Sequence, residues 1–179
     1  AVRRGMLSAF EADPAYAGFW DADLATDLDL LPDFLAEFEA HPEALLVMGS
    51  RLKILGRAIE RRLARHTTGR VFATAASMLL RLPVYDTQCG AKLFRVTPAT
   101  RALFAEPLCT TWIFDVELLA RLIRDLGRAA VLGRVRELPL RRWRDAPGSK
   151  RRLRHYPLAL RDLWRIHRAY PELRRGDAP

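Results

Sequence analysis

The sequence reads as an α/β domain, on three observations. Short apolar runs, Tyr16 to Trp20 and Ala44 to Met48, have strand length. Other stretches carry apolar residues at helical spacing, as in Leu31, Phe34, Leu35 and Phe38. The first apolar run ends in two carboxylates, Asp21 and Asp23, one residue apart. Open α/β sheets place their ligands at that end of a strand.

Taken in order, Val2, Met6, Leu7 and Phe10 lie at helical spacing, and Asp13-Pro14 ends that helix. The strand from Tyr16 follows. Alternation points Asp21 and Asp23 to one side. Two hard oxygen ligands suit Mg²⁺ or Mn²⁺, which are normally shared with substrate phosphates. The plainer reading is a strand followed by an Asp-rich helix cap. Asp29 is then the cap of the helix carrying Leu31 to Phe38, which His41-Pro42 closes. The second strand ends in Gly49-Ser50-Arg51.

A basic helical stretch runs from Arg57 to Arg70, with Arg57, Arg61, Arg62 and Arg65, and an apolar helix from Val71 to Leu82 follows. Pro83 breaks it. The polar loop from Val84 leads through Gly90 to Arg95. Its Cys89 reads as a small buried hydrophobe rather than a nucleophile. Trp112 to Leu119 opens an amphipathic helix ending near Gly127, with Asp115 and Glu117 in its first turn. A strand is expected from about Val131 to Leu140, then a basic loop from Arg142 to Lys150. Pro157 opens a last helix, with Leu160, Leu163 and Trp164 on one face and Arg161, Arg165 and Arg168 on another. Such a helix lies on anionic membrane surfaces or packs against the domain.

Composition bounds the partners. The 179 residues suffice for one domain, and half are hydrophobic, which argues against disorder. Lys and Arg number 30 against 21 Asp and Glu, a formal charge of +9. That favours an anionic partner: nucleic acid, a phospholipid surface or a phosphorylated substrate. Two cysteines make no disulfide framework and fit a reducing compartment. The four histidines (His41, His66, His155 and His167) have no metal-ligand spacing.

The segments DADLAT at 21–26, GSR at 49–51, DTQCGAKLF at 86–94, FDVELL at 114–119 and GSK at 148–150 together resemble family-2 glycosyltransferases. The polyprenyl-phosphate (dolichyl-phosphate) glucosyltransferase branch is the nearest likeness, with the mannosyltransferase branch next. The resemblance covers about residues 1–150, leaving 151–179 as a basic amphipathic tail. It implies a Rossmann-like GT-A fold, N-terminally incomplete here, because the family's opening strand and uracil-binding loop have no counterpart. It implies an inverting hexosyltransferase, cytoplasmic and peripheral to the cytoplasmic face of the membrane. The donor would be a UDP-sugar such as UDP-glucose, the cofactor Mg²⁺ or Mn²⁺, and the acceptor polyprenyl or dolichyl phosphate.

Residue by residue, the resemblance makes Asp23 the metal contact and Asp21 the carboxylate beside the donor ribose and the metal. Asp86 would face the sugar, and Asp115 and Glu117 would stand near the acceptor. Arg144, Ser149 and Lys150 would close over the donor diphosphate, while Arg51 and Arg65 would hold the acceptor phosphate. Three positions depart from the family pattern: Ala25, Asp27 and Ala91. A phosphate acceptor is already anionic, so catalysis would rest on alignment and on neutralising the leaving diphosphate. Two other classes stand beside this reading: a basic nucleic-acid-binding module, which lacks interleaved stacking aromatics, and a catalytically incomplete remnant that binds a partner.

Overall fold

The computed structural model describes residues 1–23, 25–60, 63–144 and 155–174, with side chains over 1–23, 25–59, 69–144 and 158–174. Its centre is a four-stranded sheet built from β1 (Tyr16–Phe19), β2 (Leu46–Ser50), β4 (Lys92–Arg95) and β5 (Val135–Pro139), in the order β1-β4-β2-β5. β4 runs antiparallel to both neighbours, whereas β2 and β5 are parallel. The fold is thus α/β with a mixed sheet. Because only β4 is reversed, the carboxyl ends of β1, β2 and β5 share one edge with the amino end of β4. A small parallel pair, β3 (Ala58–Glu60) and β6 (Arg142–Arg144), forms a second sheet.

The central strands are buried on both faces, and alternation sorts their side chains. Leu46, Met48 and Phe94 enter a core shared with α1 (Val2–Glu11), α3 (Leu63–Leu80), α4 (Pro98–Ala105) and α5 (Phe114–Leu126). Val47 and Leu93 enter a second core with Phe34 and Phe38 of α2 (Leu31–Ala40) and with Leu140 and Trp143. Phe34, Phe38 and Phe94 are each fully buried, which contributes about 1.5–3 kcal/mol per side chain.

Several boundaries differ from the sequence expectations. The residues before β5 form a helix, α6 (Arg128–Arg134), rather than the start of a strand. Gly127, at φ 79°, separates it from α5, and Val131 turns into the core. A short apolar run does not by itself distinguish helix from strand. The basic stretch is divided between β3 and α3, and α3 continues without a break into the apolar segment. Arg61 and Arg62 lie outside the described residues. Asp29 does not cap α2; it sits in a short 3-10 turn, Leu28–Leu30, and pairs with Arg142.

The last helix, α7 (His155–Ala169), packs on the domain. Ala159, Leu163 and Ile166 enter the first core, together with Tyr170 beyond the helix. Leu160 and Trp164, expected beside Leu163, stay 60% and 56% exposed. Exact angular position decides this, and a three-residue stripe does not resolve it. No described helix is long and apolar enough to cross a membrane.

Candidate active-site edge

The shared edge gathers side chains from four parts of the chain. Past β1, the Asp21 amide donates to the Gly90 carbonyl at 3.0 Å. This continues the antiparallel register, which pairs Phe19 with Lys92. On the other side of the same loop, the Gly49 amide donates to the Ala91 carbonyl at 2.9 Å. The segment between Asp86 and Lys92 is therefore pinned from both sides.

Asp86 and Arg51 form a buried two-pronged pair. Arg51 Nε lies 2.6 Å from Asp86 Oδ2 and Nη2 lies 2.7 Å from Oδ1, while the Arg51 amide also donates to Oδ2 at 3.1 Å. The guanidinium stands 5.3 Å from the Trp143 ring centroid. Burial works against the Arg51 charge, but the Asp86 carboxylate overrides it and raises the arginine's pKa. Glu137 of β5 holds the same loop, accepting from the Tyr85 and Asp86 amides at 2.8 Å each. Burial and the nearby Asp86 charge together lift the Glu137 pKa above its ordinary value, against those hydrogen bonds.

Lys92 is the second fastener. Its ammonium is 1% exposed and lies 2.7 Å from Asp115 Oδ1. It also donates to the carbonyls of Thr87 at 3.0 Å and Cys89 at 2.6 Å. Burial raises the Asp115 pKa; Lys92 opposes that, and the charges of Asp21 and Asp86 add to it. The result is a carboxyl that holds its proton more readily than a surface aspartate, a property useful in proton transfer. Cys89 is fully buried and burial pushes its thiol pKa up, consistent with a packing role.

Asp21 and Asp23 are exposed at the mouth of this edge. Asp23 Oδ1 accepts from the Ala25 amide at 3.0 Å, fixing a short turn. Among the described residues, neither Asp21 nor Asp23 has an ion-pair partner within 4.0 Å, whereas Asp86 and Asp115 do. Also among the described residues, no group of three or more His, Cys, Asp or Glu could hold a metal. The donor set fits a hard cation that takes only two protein carboxylates and completes its shell with phosphate oxygens and water.

The expected site residues thus divide. Asp21, Asp86, Asp115 and Arg51 come together, with Asp23 close behind in the chain. Arg51 does not present a free fork, because Asp86 occupies it. Arg65 lies on α3, its side chain outside the described residues, and Arg144 ends β6. Ser149 and Lys150 lie outside the described residues.

Glu117 belongs elsewhere. It is fully buried and accepts from the Cys109 amide, the Thr110 amide and hydroxyl, Arg121 Nη2 and the Tyr170 hydroxyl, all within 2.9–3.0 Å. Burial disfavours its charge, but these donors prevail and its pKa falls below the ordinary value. On α5, Asp115 turns to the edge while Glu117 holds the segment before the helix to Tyr170. Two residues along a helix are about 200° apart, so the two carboxylates cannot share a direction.

Sequence reasoning missed Lys92 and Glu137. The available signal was a lysine inside a buried strand, Lys92-Leu93-Phe94, because lysine is almost never fully buried unless paired. No protein-family model matches the chain, and no curated protein matches it.

Proposed function

We propose that the edge carrying Asp21, Asp86 and Asp115 is part of a metal-assisted glycosyl-transfer site of the GT-A kind. In this reading a hexose, glucose by the resemblance, passes from a nucleotide-diphosphate sugar to a polyprenyl or dolichyl phosphate. The supporting observation is the convergence itself. Three aspartates, 94 positions apart at the extremes (115 − 21), meet at one sheet edge with two of their charges compensated and Asp21 open. Asp21 and Asp23 would hold Mg²⁺ or Mn²⁺, which supplies charge neutralisation for a leaving diphosphate. Asp86, held by Arg51 and Glu137, would face the sugar. Asp115, with Lys92 behind it, would stand near the acceptor. Arg144 and the following Ser149 and Lys150 would cover the donor. With Arg51 committed to Asp86, Arg65 is the remaining candidate for the acceptor phosphate.

The same reading places the chain on the cytoplasmic face of a membrane, with the basic, Trp-bearing side of α7 against anionic lipid. The test is transfer of labelled glucose from UDP-glucose to polyprenyl phosphate in the presence of Mn²⁺, read as label extracted into organic solvent. Asp21→Asn and Asp23→Ala are expected to abolish the transfer with the fold retained. The assay is run on a chain that also carries the opening strand and uracil-binding loop, and its failure to label the lipid from any UDP- or GDP-hexose would overturn the proposal.

A further inference from the structure

We infer that Gly90 is a positioning residue: the missing side chain there lets the Asp21 carboxylate lie over the loop leading into β4, beside the buried Asp86 and Asp115 pairs. Asp21 and Gly90 are direct cross-strand partners, two residue pairs past the Phe19–Lys92 end of the ladder. Partners of this kind carry their side chains on the same side of the sheet. A Cβ on Gly90 would overlap the Asp21 carboxyl carbon and Oδ2, and would lie 2.6 Å from Oδ1. The carboxylate therefore occupies the space a side chain at 90 would take.

The backbone does not itself call for glycine. Among the described glycines only Gly56 and Gly127 have positive φ, so alanine suits the conformation at 90. Asp21 is exposed, so its side chain can swing outward when alanine is introduced. That displacement costs little stability but removes the carboxylate from the cluster whose other members, Asp86 and Asp115, stay fixed by Arg51 and Lys92. Gly90 thus sets what the edge can bind, rather than whether the chain folds.

The metal half of this inference rests on the reading proposed above; the placement of Asp21 does not. Gly90→Ala, Asp21→Asn and the control Gly5→Ala are compared, since a Cβ on Gly5 meets nothing within 4 Å. Free Mn²⁺ is titrated by electron paramagnetic resonance. Metal-free samples give the Asp21 carboxyl carbon-13 shift, identified by its loss in Asp21→Asn. The expected result is Mn²⁺ affinity lowered about 10-fold by Gly90→Ala, as by Asp21→Asn, with Gly5→Ala unchanged. The melting temperature of Gly90→Ala should stay within about 2 °C of wild type. An unmoved Asp21 carboxyl shift in Gly90→Ala overturns the inference. If the wild type binds no Mn²⁺, the metal reading fails, and the carboxyl shift still decides the role of Gly90. If Gly90→Ala unfolds the protein both alone and in an Asp21→Ala background, the glycine serves the backbone and the inference is wrong.

Discussion

The Arg51 guanidinium grips the Asp86 carboxylate with both prongs, at 2.6 and 2.7 Å, and both residues are less than a tenth exposed. Arg51 leaves the end of β2 and Asp86 opens the loop before β4, so the pair ties two neighbouring strands together at the candidate site. Removing one partner strands a buried charge, which costs about 3–5 kcal/mol. Arg51→Ala should lower the urea-unfolding free energy by that amount. Arg51→Lys should recover only part of it, because lysine keeps the charge and loses the fork. A loss below about 1 kcal/mol for Arg51→Ala would mean that the pair is better solvated than its geometry indicates.

Glu117 gives stability a defined acid dependence. Its folded pKa lies below its ordinary value of 4.5, so the folded state binds fewer protons than the unfolded chain. The stabilisation is present above pH 4.5 and is lost as the pH falls through the depressed folded value. Glu117→Gln should weaken the protein at pH 7 and flatten that acid limb. A Gln variant with the wild-type slope below pH 4.5 would assign the dependence to other carboxylates.

Asp115 should be visible in the pH profile of the proposed transfer. Its pKa is raised above 3.8 by burial, with Lys92 pulling it down. If the ionised form is the active one, the acidic limb of kcat/KM lies above pH 3.8, and Lys92→Met moves it to higher pH. A Lys92→Met profile superimposable on wild type would remove Asp115 from the reaction.

The exposed side of α7 allows the proposed membrane attachment to be tested apart from folding. Trp164 and Leu160 face solvent, with Arg161 and Arg165 beside them at 60% and 50% side-chain exposure. Trp164→Ala and Arg161→Glu/Arg165→Glu should abolish flotation with anionic liposomes, with unfolding free energies within about 0.5 kcal/mol of wild type. Ile166→Ala should instead cost about 2–5 kcal/mol, because Ile166 is fully buried. Retained flotation in both surface variants would place any anchor elsewhere. Deleting α7 is a poor test, since it removes Ala159, Leu163 and Ile166 from the core.

The sequence by itself determined the α/β class, the strand ending before Asp21, the strand ending at Ser50 and the amphipathic helix through Asp115. Each is written in local periodicity over a few residues, and local periodicity follows from backbone geometry alone. The grouping of Asp21, Asp86 and Asp115 came from the glycosyltransferase resemblance, not from periodicity. Only the tertiary structure decided which partners those carboxylates take. Arg51 read as a free phosphate ligand because no local signal reveals that Asp86, 35 residues away, fills its fork. Glu117 read as a site residue through the glycosyltransferase resemblance, yet the turn of α5 sends it to Tyr170, 53 residues on. The reversal of β4 was equally hidden: a strand's direction in a sheet depends on which neighbours it pairs with. Pairing is settled by burying Phe94 on one face and Leu93 on the other, and the whole core takes part in that choice.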